Sequence, residues 1–391
     1  FDARVIESRR ELLRAGALAA GLTPAQAAVS WALSQNGVTS VVVGARTVAQ
    51  LEDVAKASKL RTRAAGLLDQ VAPAIPPCER VIEVLLSYAC AAKCPFCYNP
   101  PLTQELLSRD ISWPQAAGLL FQRRQEGYDG VWFTGGEATQ RADLPKLLAL
   151  SRRLGYRRIQ IGTNGIAAAS ARTARSLAAA GLNYARISIH SADPGLHDAA
   201  MGLPEAHRKA VSAIANFKRH GVAVGLNFVL HGTNAAELPR FLELAYGTWG
   251  VEDVDVLFPH YRGMMELNAA RVAVSYAQVR PWIARAFELV ASRWPKAPQP
   301  RLINFPPCTL EDSCRPWARD WRREDCGDHS LAHPEGRHSE LHEMKAGQKR
   351  QGKQCASCRL ADSCMGFEIA YAERFGEAEF IPLREDLCAA R

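Results

Sequence analysis

The stretch Ser87–Pro100, SYACAAKCPFCYNP, sets Cys90, Cys94 and Cys97 in a Cys-x3-Cys-x2-Cys pattern. Three thiolates so closely spaced can hold three corners of an iron–sulfur cube and leave the fourth iron open to another ligand. A Cys-x2-Cys pair also serves zinc or thiol redox chemistry, so spacing alone leaves those readings standing. The run before the cysteines, RVIEVLLSY at 80–88, reads as a buried strand. The cysteines then fall in the loop beyond its carboxyl end, where α/β barrels build their active sites.

Further β-type runs follow at 130–134 (GVWFT), 158–162, 185–190, 222–230 and 254–258, with helical stretches near 112–126, 205–219 and 235–247. Six strands alternating with helices imply parallel βαβ units curled into an open barrel. The pattern stops after 258, short of the two further units that closure needs. A helix over 276–294 ends this region. Gly135-Gly136-Glu137 follows the second strand directly; paired glycines allow close backbone approach and expose amides, and a carboxylate can receive an ammonium. Asn164 and Ser188 stand at the ends of the third and fourth strands. His190 and His197 read as residues that satisfy local hydrogen bonds.

The cysteine motif, with Phe96 before its third cysteine and Gly-Gly-Glu one βα unit later, resembles the radical S-adenosylmethionine (SAM) superfamily. That resemblance implies a partial (β/α)6 TIM-like barrel over 80–300 and a [4Fe-4S] cluster on Cys90, Cys94 and Cys97. SAM would chelate the open iron, with Phe96, Gly135, Gly136 and Glu137 at its methionine end and Asn164 and Ser188 at its ribose and carboxylate. On the bland alternative Asn164 only turns the chain and Ser188 packs under the sheet. The family's chemistry is cleavage of SAM by one electron, from a donor such as flavodoxin or ferredoxin. It gives methionine and a 5′-deoxyadenosyl radical that takes hydrogen from a substrate.

Residues 301–391 hold seven of the eleven cysteines, at 308, 314, 326, 355, 358, 364 and 388, in a segment too rich in Gly, Pro and charge for a large apolar core. Metal ligation would supply the missing order. The grouping Cys355-x2-Cys358-x5-Cys364 resembles the SPASM or Twitch extension, which implies one auxiliary [4Fe-4S] cluster on Cys308, Cys355, Cys358 and Cys364. A further cysteine of the full SPASM pattern is replaced by Glu368. Cys314, Cys326 and Cys388 offer alternative thiolates, and structural zinc on the same four is the other reading. Cys78 reads as a bystander.

Residues 1–75 differ in character. Thr23-Pro24-Ala-Gln26 signals a helix start, stopped by Asn36-Gly37, and a strand over Val38–Val43 leads through Gly44-Ala-Arg46-Thr47 to another helix. GVTSVVVGARTVAQLED resembles the last βα unit of the aldo/keto reductases, whose strand-to-helix turn receives the adenosine phosphate of NADPH. The family's catalytic Tyr, Lys, Asp and His would lie ahead of Phe1, so the segment reads as a trailing fragment. Val54 stands where a cofactor-contacting Asn is usual. Pro73, Pro76 and Pro77 mark a linker.

Eleven cysteines with no signal-like start and no apolar run of transmembrane length argue for thiolate ligands in a reducing, cytoplasmic setting, without a membrane partner. The net charge of +8 is dispersed apart from the basic loop Lys345–Lys353, which disfavours nucleic acid as a partner. The expected activity is peptide modification of the maturase type. A radical SAM enzyme acting on a small metabolite or sugar beside a fused reductase, and a noncatalytic zinc module, are the alternatives.

Overall fold

The computed structural model describes residues 17, 22–34, 40–59, 80–319, 321–322 and 328–384. The readings placed on Asn36, Gly37, the three linker prolines, Cys78, Cys326 and Cys388 lie outside these residues. The chain divides into two compact units, residues 1–77 and 78–391.

In the first unit, α1 (Pro24–Ser34) begins at a reciprocal cap: Gln26 N donates to Thr23 Oγ1 at 3.1 Å and Thr23 N donates to Gln26 Oε1 at 3.2 Å. Helix α2 (Val48–Ala55) is capped by Thr47, whose side chain accepts from Gln50 N. Gln26 Nε2 reaches Asp53 Oδ1 at 2.7 Å and ties the two helices together. The strand expected over Val38–Val43 does not form across its described part, Ser40–Val43. A strand needs a hydrogen-bonded neighbour, and among the described residues this unit has no other strand; Val42 is fully exposed.

The second unit is built on β1 (Arg80–Leu85), β2 (Gly130–Thr134), β3 (Arg158–Thr163), β4 (Tyr184–Ser188), β5 (Ala223–Val229) and β6 (Val254–Leu257), each parallel to the next. The crossovers carry α3 (Trp113–Gln125), α4 (Leu144–Leu154), α5 (Ala171–Ala180), α6 (Ala206–Arg219) and α7 (Leu238–Glu243), and α8 (Tyr276–Arg293) follows β6. Local signals place them. Ser112 and Gln115 form a capping box at the start of α3, and Gly155 in the left-handed region ends α4. Phe133, Phe217, Phe228 and Phe241 are fully buried between sheet and helices.

The sheet does not stop at six strands. β7 (Arg301–Ile303) and β8 (Ala318–Arg319) continue it beside β6, while β9 (Asp328–Ala332) pairs parallel with β1 and antiparallel with β10 (His338–Glu340). The strand order is β10-β9-β1-β2-β3-β4-β5-β6-β7-β8. The cysteine-rich segment therefore supplies both flanks of the barrel sheet. β7, β8 and β10, of two or three residues, are too short to show an apolar period, and the five residues of β9 open on the polar run Asp-His-Ser. A separate small ladder joins β11 (Lys349–Arg350) to β12 (Phe367–Glu368).

At one side of the sheet, β4, β6 and β7 meet in a buried charge network. Arg186 reaches Asp255 at 2.9 Å, Asp253 at 3.1 Å and Tyr184 Oη at 2.8 Å, and Arg301 Nε reaches Asp255 at 2.7 Å. Burial works to raise the Asp253 carboxyl, but the Arg186 and Arg301 guanidiniums hold it well below the usual carboxylate range. Gly225 makes room for the network: a Cβ there would lie 2.1 Å from Tyr184 Oη.

Candidate active site

The loop after β1 carries the three cysteines and is fixed from three directions by backbone. Lys93 N donates to Met201 O at 2.9 Å, Gly136 N to Ser87 O at 2.7 Å and Glu137 N to Ala89 O at 2.8 Å. From below β6, Met264 N donates to Asn99 O and Met265 N to Cys97 O, both at 3.0 Å. Cys90, Cys94 and Cys97 are partly buried free thiols lining one cleft of about 550 Å³ at the carboxyl ends of the strands. Cys94 Sγ packs 3.5 Å from Met201 Sδ.

Burial pushes the Cys90 thiol up to about 11 and raises Cys94 and Cys97 as well. A thiolate on Cys97 or Cys90 would raise Cys94 further. Three desolvated sulfurs that oppose one another's ionisation form a donor set for a cationic centre, which removes the conflict by neutralising it. The trio's chemistry, free thiols of one loop facing one cleft, fits a cluster.

Phe96, Gly135, Gly136, Glu137, Asn164 and Ser188 line the same cleft. The geometry changes what several of them do. A Cβ on Gly135 would sit 2.3 Å from Ser87 O, and one on Gly136 would sit 2.2 Å from Ala89 O. The glycines thus admit the cysteine loop, and the Gly136 and Glu137 amides are spent on that loop. The Glu137 carboxylate, expected to take an ammonium, accepts from Thr139 N at 3.2 Å, Thr139 Oγ1 at 2.5 Å, Thr163 Oγ1 at 2.7 Å and Asn164 N at 2.7 Å. A carboxylate offers about four acceptor sites, so Glu137 is a bracket between the β2 and β3 turns. Asn164 Oδ1 accepts from Ile166 N at 3.0 Å, turning the chain while its residue walls the cleft. Ser188, at the end of β4, also lines the cleft.

Phe96 is buried beneath the loop, stacked on His231 with centroids 4.6 Å apart and edge-on to His190 at 4.8 Å. His190 N donates to His197 Nδ1 at 3.0 Å and His190 Nδ1 accepts from Val229 N at 3.1 Å. These histidines satisfy local backbone, as their sequence positions suggested. Two further residues of the cleft were missed. Met201 carries no motif. His260 lies beyond β6, and its partner Glu368 is 108 positions away; only the oddity of Glu368 among the cysteines hinted at it.

Cys308, Cys355, Cys358 and Cys364 line a second, apolar pocket with Phe367 and Phe380. Burial, reinforced by the three other sulfurs, pushes Cys308 up to about 12. Cys314 is buried apart from them, against Ser313. The four thiols expected to act together are thus brought together, with the donor chemistry that a cluster needs.

Residues 84–245 match the profile of the Radical SAM superfamily, and residues 7–72 match that of the aldo/keto reductase family. The chain is 31% identical over 204 residues to the PqqA peptide cyclase of Xanthomonas campestris pv. campestris (strain B100), covering 52% of this chain and 53% of that protein. To the PqqA peptide cyclase of Streptomyces rochei it is 31% identical over 220 residues, 52% of this chain and 57% of that one. It spans about half the length of the curated relatives it matches. Among solved structures, Streptococcus suis SuiB bound to precursor peptide SuiA superposes with TM-score 0.57 at 15% identity, covering 92% of this chain and 85% of that chain. Native anSMEcpe with bound AdoMet gives 0.56 at 13%, covering 77% and 95%. At such identities the likeness is one of fold. No helix among the described residues is long and apolar enough to cross a membrane.

Proposed function

We propose that this chain is a SAM-cleaving enzyme that modifies a peptide, since its residues 84–245 match the Radical SAM superfamily. One observation carries the reading: the nine residues picked out by sequence for the cluster and SAM all wall one cleft. When bound, the cluster and SAM supply a primary carbon radical that removes hydrogen from substrate, after one-electron reduction by a donor such as flavodoxin or ferredoxin. Cys90, Cys94 and Cys97 would hold the cluster. Ser188 and Asn164 would wall the SAM site, and Glu137 fixes the turn that carries Asn164. Cys308, Cys355, Cys358 and Cys364 would hold one auxiliary cluster. The peptide assignment draws on the PqqA peptide cyclases that the chain resembles. The cleft's apolar lining of Tyr98, Pro100, Pro101 and Leu102 suits side chains of such a substrate.

The test is anaerobic incubation with SAM and dithionite, reading 5′-deoxyadenosine, with deuterated candidate peptides to trace hydrogen into it. Iron near eight per chain, as about two cubes require, and deuterium in the nucleoside are expected. Zinc in place of iron, or no SAM cleavage, would reject the proposal.

A further inference from the structure

His260 follows β6 in the loop that docks on the cysteines. Gly263 makes that docking possible, since a Cβ there would lie 2.3 Å from both Tyr98 O and Asn99 O. His260 lines the cleft with 23% of its side chain accessible. Its Nδ1 meets the Glu368 carboxylate, so Nε2 is the ring nitrogen that this bond leaves over. His190, also in the lining, is only 4% exposed and its Nδ1 is engaged with Val229 N.

Glu368 is held in turn. It is 5% exposed, takes a bond from Asn304 Nδ2 at 3.1 Å and faces Lys349 across the β11–β12 ladder. Burial works to raise its carboxyl, but His260 and Lys349 outweigh burial and keep it below the ordinary value. Asn304, 2% exposed, sits at φ 66°, a left-handed backbone uncommon outside glycine that persists where surroundings impose it. A carboxylate on Nδ1 fixes the imidazole tautomer: the proton stays on Nδ1 and the lone pair is left on Nε2 of a residue that lines the cleft. Tyr261 and Tyr276 also face Glu368, and Tyr98 and Arg262 lie beside His260, the tyrosine ring edge-on to it at 6.3 Å and the guanidinium over that ring at 5.3 Å.

We infer that Nε2 of His260 accepts a proton from an N–H or O–H of the peptide in this cleft, with Glu368 and Asn304 as positioning residues. The inference rests on the cleft being the reaction site proposed above. The step balances. The substrate N–H or O–H bond breaks with its electron pair left on the substrate, an Nε2–H bond forms, and the new imidazolium charge is met by Glu368.

The test begins without substrate. Anaerobic holoenzyme is treated with diethyl pyrocarbonate, which acylates accessible, unprotonated imidazole nitrogen, and is mapped by peptide mass spectrometry across pH. His260 should label faster than His190, His197 and His231. Glu368→Gln should lower the midpoint of its pH profile by about one unit, because the imidazolium loses its counter-charge. Asn304→Gly should shift it less in the same direction, and serves if Glu368→Gln does not fold. An unlabelled His260, or a midpoint unmoved in these variants, overturns the inference. With a peptide that yields deuterium to the nucleoside, His260→Gln should cut modified product per deuterated 5′-deoxyadenosine about 10²-fold, and an unchanged ratio overturns it too. If no peptide gives up deuterium, the proposed function fails while the labelling still decides the role of His260.

Discussion

Arg186 is 5% exposed and its guanidinium meets Asp253, Asp255 and Tyr184. Arg186→Ala would leave Asp253 and Asp255 to Arg301 alone, and since Asp253 is 33% exposed the cost should fall below that of a fully buried pair, at about 1–3 kcal/mol. Urea unfolding should show a loss in that range; a loss under about 1 kcal/mol would mean that water or Arg301 compensates. At this scale the gathering of Cys90, Cys94 and Cys97 on one cleft was legible because three thiols in one short loop have few structural uses. The partner of Glu368 was not, since only the folded chain joins positions 260 and 368. Glu137 was legible as a residue of the site but not in its task, because its four donors lie on two different turns.

The turn after β2 and the loop after β1 pack backbone to backbone, and Gly136 is the point of closest approach. Gly136→Ala should force the loops apart at a cost of about 1–3 kcal/mol and lower iron retention at Cys90, Cys94 and Cys97. Thermal unfolding and iron analysis check both; full iron with unchanged Tm would show that the loops can slide. The six central strands could be read from sequence because each runs four residues or more between helical stretches, whereas β8, β11 and β12 have two residues each. Capping signals at Thr23 and Thr47 located helix starts, while the caps at Ser112 and Ser275 emerged only in the structure. Sequence could not show that Ser40–Val43 would lack a strand partner among the described residues.

Across the barrel, His197 and His231 are buried and neutral. Desolvation brings each down to about 4, and on His197 the His207 ring adds to it. In the unfolded chain they would titrate near 6.5. The folded state therefore binds fewer protons below that value, and stability is fully present above about pH 6.5 and is lost as pH falls toward 4, by roughly 1.4 kcal/mol per unit for each. Denaturant midpoints at about pH 7.5 and pH 5 measure the loss. His197→Asn should flatten the slope, and an identical slope would assign the loss to other groups.

The segment after residue 300 contributes β7 and β8 to one margin of the sheet and β9 and β10 to the other. It therefore works as a clasp, and the barrel cannot be separated from it as an independent module. A chain cut at 300 would bare the amides and carbonyls of β1 and β6 together, and open parallel strands invite self-association. Such a truncation should collect in inclusion bodies even with iron and sulfide supplied, whereas a soluble monomer would show that the clasp is dispensable.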